Sequence, residues 1–185
     1  MKIACIGWGS LVWDPRELPV RSGWFTDGPF LPVEFCRQSG DGRLTLVITP
    51  GKPELRTLWA LMAVSNIEEA LDSLQKREGI PDKNKEKYIG AWPSKRAKVA
   101  CYSAIGKWAK RVGIDAAVWT ALPPKFNNKD GVAPSEDEAV KYLLEGLSHE
   151  KRRHAEEYIR RAPLQIDTDF RRRFELEFGW KPIQK

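Results

Sequence analysis

Residues 65–81 constrain the fold of this chain more than any other segment, because they mark both ends of one amphipathic helix. Ser65, with Glu68 three positions later, predicts a capping box at the N-terminus of the helix. Gly79 and Pro81 predict its end, since glycine suits a left-handed C-terminal cap and proline cannot continue a helix. The apolar stripe between these signals consists of Ile67, Ala70, Leu71 and Leu74. Such a stripe requires other structure to pack against it.

Short apolar runs bounded by turn residues precede this helix, and they predict β-strands. The predicted strands are residues 2–6, 33–36, 44–49 and 57–64. Between the first two, residues 15–32 are rich in proline and glycine, which favours an irregular but ordered loop. The chain is therefore expected to form β-structure before its first helix.

The second part of the chain mixes strands with helices. The predicted elements are an exposed loop over residues 82–95, strands over 98–102 and 116–121, a helix that starts with a capping box from Ser135 to Glu138, and a helix over about 149–161. No internal repeat or long linker interrupts the sequence. We therefore expect residues 1–185 to form a single α+β domain.

The composition excludes several classes of protein. No stretch approaches the roughly 20 consecutive apolar residues of a membrane helix, and the residues near the N-terminus become polar too soon for a secretory signal. A cytoplasmic protein without a membrane partner is therefore expected. The three cysteines, Cys5, Cys36 and Cys101, are odd in number and far apart, so neither disulfides nor a cysteine-rich metal site is expected.

The formal net charge of +6 is compatible with a nucleic acid or an anionic metabolite as the partner. Basic residues are concentrated late in the chain, at residues 151–153, 160–161 and 171–173, with acidic residues interleaved. Mixed signs at helical spacing are typical of a solvated helix face, and a phosphate-binding patch is the functional alternative. Charge alone does not decide between these interpretations.

Glu78 is distinguished by its position on the first predicted helix. It follows Leu71 by seven residues and Leu74 by four, so it continues the apolar stripe if the helix persists to its last turn. Burial and the negative end of the helix dipole would both raise the pKa of this carboxyl group, which suits it to accept and return a proton. Alternatively, the helix frays after Gln75, and Glu78 faces water beside a neighbouring basic residue.

A glycine-bearing turn follows the first predicted strand. It consists of Gly7, Trp8, Gly9, Ser10 and Leu11. Glycines at this place let the backbone approach a ligand and offer its amides to a carboxylate or phosphate, although ordinary strand termination also explains them. The dinucleotide-binding motif GxGxxG would need a glycine at Val12, and the phosphate-binding P-loop motif is absent from this turn.

Other catalytic interpretations find less support in the sequence. Ser10 does not lie in a GxSxG elbow. The only histidines, His149 and His154, are five residues apart, so they do not share a helix face as a pair of metal ligands would. Cys36 could be a nucleophile, but a buried free cysteine is the commoner meaning of such a residue.

Two segments resemble signatures of the γ-glutamylcyclotransferase superfamily, most closely those of its ChaC-like, glutathione-specific branch. Residues 5–15, with the sequence CIGWGSLVWDP, are similar to the N-terminal pattern V-F-G-Y-G-S-L-I-W-x-P. Residues 77–79, Arg-Glu-Gly, resemble the second signature, in which a glutamate ends a helix and acts as the catalytic base. Residues 35–39 also look like the segment between the two signatures. The likeness spans about the first half of the chain.

The resemblance implies a fold, a reaction and a set of site residues. The implied fold is a small mixed β-barrel with surrounding helices. The backbone amides of residues 7–11 would hold the α-carboxylate of glutathione, a γ-glutamyl dipeptide or a γ-glutamyl amine. Glu78 would transfer protons while the γ-glutamyl group closes to 5-oxoproline, with no metal or other cofactor. Trp8 replaces a family tyrosine, which bears on substrate choice, and Tyr88 is a candidate for a later substrate contact.

A second hypothesis is a non-catalytic binding module of the same fold, for nucleic acid or an acidic partner. It depends on the basic C-terminal third of the chain and on Trp8. Binding of nucleic acid would weaken steeply as salt is added, whereas the enzyme would release 5-oxoproline.

Overall fold

The structure is a computed structural model, and it describes residues 1–94 and 101–183. Its strands are β1 (Ile3–Gly7), β2 (Phe30–Leu31), β3 (Val33–Gln38), β4 (Leu44–Ile48), β5 (Leu55–Arg56), β6 (Leu58–Leu61), β7 (Ile89–Trp92), β8 (Ala116–Thr120), β9 (Lys125–Phe126) and β10 (Lys129–Asp130). Its helices are α1 (Ile67–Glu78), α2 (Lys85–Tyr88), α3 (Tyr102–Val112), α4 (Glu136–Glu145), α5 (His149–Arg161) and α6 (Asp169–Phe178), with a 3₁₀ turn at Asp82–Asn84. The predicted α+β class is confirmed.

The chain divides into two compact units, each built from two separated stretches of sequence. The first unit consists of Met1–Leu31 and Arg56–Leu122, and the second of Pro32–Leu55 and Pro123–Lys185. The single domain expected for residues 1–185 stays a prediction.

A four-stranded sheet in the order β6-β1-β8-β7 forms the centre of the first unit. β1 pairs antiparallel with β6 and parallel with β8, and β8 pairs antiparallel with β7. The parallel pair aligns Cys5 with Val118 and Ile6 with Trp119, so the two strands end side by side. The sheet thus brings the start of the chain next to residues near position 120.

Helix α1 begins one residue later than the predicted capping box. Asn66, not Ser65, is the N-cap: its side chain accepts from the N–H of Glu69 at 3.0 Å, and the Glu69 carboxylate accepts from the N–H of Ser65 at 2.8 Å. Because asparagine caps as well as serine and two glutamates follow it, the sequence allows either start. The helix continues to Glu78 and ends as predicted at Gly79, whose φ of 64° is left-handed.

The apolar stripe of α1 packs against one face of the sheet in the first unit. The buried cluster consists of Ile3, Cys5, Leu11, Leu18, Met62, Ala70, Leu74, Ile80, Ile89, Ala91, Ala116 and Val118. Side chains alternate between the two faces of a strand. Because Cys5 and Val118 belong to this cluster, every second residue of β1 and β8, counted from them, points toward the α1 side of the sheet.

The second unit contains its own four-stranded sheet, in the order β10-β9-β3-β4. β3 and β4 are antiparallel, and β9 and β10 form a short hairpin. Asn127 and Asn128 connect the hairpin with φ values of 48° and 61°, which asparagine tolerates better than most residues. Helix α5 packs against β4 and helix α6 against β3.

Aromatic side chains build the core of the second unit. Phe174 of α6 lies edge-on to Phe35 of β3, with ring centroids 6.0 Å apart, and to Phe170, at 6.1 Å. Arg171 is also buried, and its guanidinium donates to the carbonyls of Ala162, Pro163 and Ile166, which follow α5. One arginine of the run 171–173, which we interpreted as a solvated face, therefore has a structural role.

Glu34 on β3 is a buried carboxylate near the start of α6 in the second unit. Its oxygens accept from the N–H groups of Phe35 at 2.8 Å and Phe170 at 3.4 Å, and the Thr168 hydroxyl also bonds to it. Burial raises the pKa of Glu34 to about 6, although these hydrogen bonds and the charge of Lys52 oppose the shift. The folded protein therefore binds this proton more tightly than the unfolded chain does.

We expect Glu34 to make the second unit less stable as pH rises from about 4.5 to about 6. The stabilisation is complete below the pKa of the unfolded chain, and about 2 kcal/mol is lost as Glu34 ionises. Urea unfolding of the wild type and Glu34→Gln between pH 4 and 7 measures this, because glutamine does not titrate. If the difference in unfolding free energy between the wild type and Glu34→Gln stays constant over this pH range, the prediction is wrong.

The closure of the sheets and the length of the helices bear on two expectations from the sequence. Within residues 1–94 and 101–183, the sheets do not close into a barrel, so the structure does not support the predicted β-barrel. In the same residues, no helix is long and apolar enough to cross a membrane.

The segment after α1 was predicted least well. Residues 82–95 were expected to be a loop. Residue 95 lies outside the described part, and the others include the 3₁₀ turn, α2 and the edge strand β7. Of the strand predicted over residues 98–102, residues 98–100 lie outside the described part, and Tyr102 begins helix α3. Helix α6 was not predicted, because its run of three arginines obscured the apolar spacing of Phe170 and Phe174.

Candidate active site

The carboxyl ends of the parallel strands β1 and β8 adjoin the residues that were predicted to form a site. β1 ends at Gly7, the first residue of the predicted substrate loop, and β8 ends at Thr120, which pairs with Ile89 of β7. Sites often form where parallel strands end, because the connecting loops converge there. The predicted base, Glu78, is the last residue of α1, the helix that packs against β8.

Arg77 joins the predicted loop to the end of helix α1. Its Nη2 atom donates to the hydroxyl of Ser10 at 3.1 Å and to the carbonyl oxygen of Asp14 at 2.7 Å. Its Nη1 atom donates to Oε1 of Glu78 at 2.7 Å. The two parts of the predicted site, Glu78 and the glycine-bearing loop, are therefore neighbours that share one arginine.

Glu78 is largely withdrawn from solvent, with 16% of its side chain exposed. The fraying alternative expected it to face water beside a basic residue; it does pair with Arg77, but the helix persists and the pair is mostly buried. Burial raises the pKa of Glu78 above its ordinary value, while the positive charges of Arg77 and Arg16 oppose that shift. A carboxyl group whose pKa is raised is better suited to accept a proton and return it.

The loop bonds to itself at two backbone N–H groups and leaves others available. The N–H of Val12 donates to the carbonyl of Gly9 at 2.9 Å, and the N–H of Asp14 donates to the carbonyl of Ser10 at 2.8 Å. The N–H groups of Gly9, Ser10 and Leu11 donate to no residue in the described part of the chain. Consecutive backbone donors of this kind can bind a carboxylate or phosphate.

The side chains of the other predicted loop residues are mostly buried. A Cβ atom at Gly7 would lie 2.7 Å from the indole of Trp24, so packing alone accounts for a glycine there. Trp8 and Leu11 are 5% and 6% exposed, and Leu11 belongs to the cluster beneath α1. The contact predicted between Trp8 and the substrate stays a prediction, and the side chain of Leu11 anchors the loop.

Thr120 is a candidate that the sequence did not reveal. It lies two residues after Val118 and therefore faces the α1 side of the sheet, beside the end of β1. Its hydroxyl is buried and has no hydrogen-bond partner among the described residues. Tyr88, predicted as a later contact, lies at the same end, where its carbonyl accepts from the N–H of Ala121 at 2.7 Å. Only the strand pairing places Thr120 here.

Neither buried cysteine is suited to nucleophilic attack. Burial raises the pKa of Cys5 to about 12, and the neighbouring charge of Glu78 adds to this effect while Arg77 opposes it. Burial likewise raises the pKa of Cys36 to about 12. Both thiols stay protonated near neutral pH, and a thiol is a far poorer nucleophile than a thiolate.

The structure also places the histidines and the late basic residues. No group of three or more possible metal ligands occurs among the described residues, and His149 and His154 are both exposed on α5. Several late basic residues pair with acidic neighbours: Arg160 with Glu156, Arg161 with Glu157, and Arg172 with Asp167. These exposed pairs favour the solvated-face interpretation of the basic segments.

Comparisons with protein-family profiles, with curated proteins and with solved structures found no match to this chain. The resemblance of residues 5–15, 35–39 and 77–79 to family signatures stays a prediction from the sequence.

Proposed function

We propose that this chain is a cytoplasmic γ-glutamylcyclotransferase-like enzyme, which closes the γ-glutamyl group of a small substrate to 5-oxoproline and releases an amine. The observation that carries the proposal is the contact described above, in which the mostly buried Glu78 and Ser10 of the glycine-bearing loop share Arg77. The resemblance to the superfamily signatures supports the same reaction. The β-barrel of that superfamily lends no support, because the described sheets are open.

In the proposed complex, the α-carboxylate of the substrate accepts hydrogen bonds from the N–H groups of Gly9, Ser10 and Leu11. These donors suit an anion because the backbone already fixes them, so that little conformational entropy is lost when the substrate binds. The γ-glutamyl group then lies between the loop and the end of α1, beside the carboxyl group of Glu78. The substrate class is glutathione, a γ-glutamyl dipeptide or a γ-glutamyl amine.

The proposed reaction is an intramolecular aminolysis. Glu78, as a carboxylate, takes a proton from the α-ammonium group of the substrate, and the resulting amine attacks the γ-carbonyl carbon. A new bond between the α-nitrogen and the γ-carbon closes the five-membered ring, and the original γ-amide bond breaks. Glu78 returns this proton to the departing nitrogen. The second proton, which the α-nitrogen loses as it becomes the N–H of the ring, follows the same route through Glu78, so that the amine leaves as an ammonium ion and Glu78 is again ionised. Metal and organic cofactors take no part in this scheme.

A mass-spectrometric screen of the purified protein tests the proposal directly. Glutathione, γ-glutamyl dipeptides and γ-glutamyl amines are each incubated with it, and we expect 5-oxoproline and the matching amine product from at least one of them. Heated protein is the control for spontaneous cyclisation. Absence of 5-oxoproline from every substrate in the panel would exclude the proposed reaction for these classes.

The binding-module hypothesis predicts a different result from the same preparation. A nucleic-acid binder would retain a labelled oligonucleotide with an affinity that falls steeply as salt is raised. We expect no such binding, because Arg160, Arg161 and Arg172 pair with carboxylates and Arg171 donates to backbone carbonyls. Salt-sensitive oligonucleotide binding without release of 5-oxoproline would favour the binding module instead.

A further inference from the structure

The proposed reaction gives Arg77 no role, yet its position is unusual for an arginine. Only 6% of its side chain is exposed, and its Nε atom is buried without a partner among the described residues. Burying a guanidinium group is unfavourable unless charges and acceptors compensate it. Glu78 is the acidic residue that pairs with it, at 2.7 Å, and this pair compensates the burial of the guanidinium group.

The remaining bonds of Arg77 hold the loop. Nη2 binds both the Ser10 hydroxyl and the Asp14 carbonyl oxygen, and the N–H of Asp14 donates to the carbonyl of Ser10. The guanidinium therefore fixes both ends of the turn formed by residues 10–14, which includes the N–H groups of Ser10 and Leu11. A lysine at this position would keep the charge but not the planar set of donors that reaches several partners at once.

Few other charged or titratable groups act on Glu78. Arg77 precedes it on α1, Arg16 lies in the segment after the loop, and Cys5 faces it from β1. Arg16 is exposed and pairs with Asp14 at 3.2 Å, and Cys5 is an uncharged thiol. Of the two cations, Arg77 is the buried one in direct contact, so its charge should have the larger effect on Glu78.

We propose that Arg77 is a positioning residue, which favours the carboxylate form of Glu78 through their ion pair, orients that carboxylate, and keeps residues 10–14 in the conformation that presents the backbone donors of the loop. Its meaning for catalysis depends on the proposed function. Its effects on the ionisation of Glu78 and on the loop can be measured without any turnover.

The first experiment is a ¹³C NMR titration of the glutamate carboxyl groups in the wild type and in Arg77→Met. We expect the pKa of Glu78 to rise by about one pH unit or more in the variant, because a buried carboxyl group loses its neighbouring positive charge. Glu78→Gln identifies the resonance of Glu78 by its loss. Lys76→Met is the matched control: Lys76 pairs with Glu17 in solvent, and the pKa of Glu78 should not change.

The second measurement is the pH dependence of kcat/KM for 5-oxoproline formation. Its acid limb reports the ionisation of the base in the free enzyme. We expect that limb to move to higher pH in Arg77→Met, in parallel with the NMR titration, and to stay near its wild-type position in Arg77→Lys. A residue with only a structural role would lower the rate at all pH values without moving the limb.

Amide hydrogen exchange tests whether Arg77 stabilises the loop. It uses other variants, so it also tests the proposal if Arg77→Met does not fold. In Arg77→Lys and Ser10→Ala, the N–H groups of Val12 and Asp14 should exchange faster than in the wild type, because the turn loses an external bond. An unchanged pKa of Glu78 in folded Arg77→Met, or unchanged exchange in the other two variants, would overturn the proposal. If the wild-type protein forms no 5-oxoproline, the proposed function is wrong. The NMR titration and the hydrogen exchange still decide whether Arg77 positions Glu78 and the loop.

Discussion

Replacing Glu78 with glutamine is expected to slow the formation of 5-oxoproline by about 10²- to 10⁴-fold, which is the contribution of a well-placed general acid and base. Glutamine cannot accept the proton of the α-ammonium group or return it to the departing nitrogen. Its amide oxygen can still accept from Nη1 of Arg77, so the end of α1 and its link to Ser10 should survive. Quantification of 5-oxoproline by mass spectrometry measures the effect.

Glu68→Gln provides the matched control for this variant. Glu68 is exposed and lies in the first turn of the same helix, at the opposite end from Glu78. The same chemical change there should leave the rate within a factor of two. Circular dichroism establishes that both variants are folded. If Glu78→Gln forms 5-oxoproline at the wild-type rate, Glu78 is not the proton-transfer residue.

Phe174→Ala is expected to destabilise the second unit by about 3–5 kcal/mol, the usual effect of removing a buried phenylalanine. The ring is fully buried, and it contacts Phe35 on the sheet and Phe170 on its own helix. Alanine would lose the apolar burial and leave a cavity between α6 and β3. Trp180 lies in this unit, so urea unfolding followed by ¹⁹F NMR of fluorotryptophan-labelled protein reports its stability separately.

Leu176→Ala is the control for packing in the same helix. Leu176 is 82% exposed, so its truncation should change the unfolding free energy by no more than about 0.5 kcal/mol. The pair separates burial from helix propensity, since alanine favours a helix at both positions. Equal stabilities of the two variants would mean that Phe174 does not pack as described.

The sequence predicted local features better than it predicted their partners. The predicted end of helix α1 was correct, because a single glycine is enough to form a left-handed cap. Its start was wrong by one residue, since Ser65 and Asn66 are both good caps. The inward direction of Glu78 followed from the spacing of Leu71 and Leu74 alone, and its low exposure agrees with that inference.

Features that depend on distant residues could not be predicted in this way. The edge strand β7 is only four residues long, and its pairing with β8 is what identifies it. Arg171 sits in a run of arginines, and only the carbonyls that follow α5 explain its burial. Arg77 was expected only as one possible partner of a solvent-exposed Glu78, because nothing local indicates that Ser10 and Asp14 would be its acceptors.

The parallel pairing of β1 with β8 has a consequence for synthesis of the protein on the ribosome. The backbone N–H of Lys2 bonds to the carboxylate of Asp115, 113 residues later, at the start of this pair. At about 5–20 residues per second, β1 waits on the order of ten seconds for its neighbour to be translated. Until β6 is made both edges of this apolar strand are unpaired, and afterwards one edge still is, which favours aggregation. Nascent chains that stall before residue 116 should therefore be preferred clients of ribosome-associated chaperones.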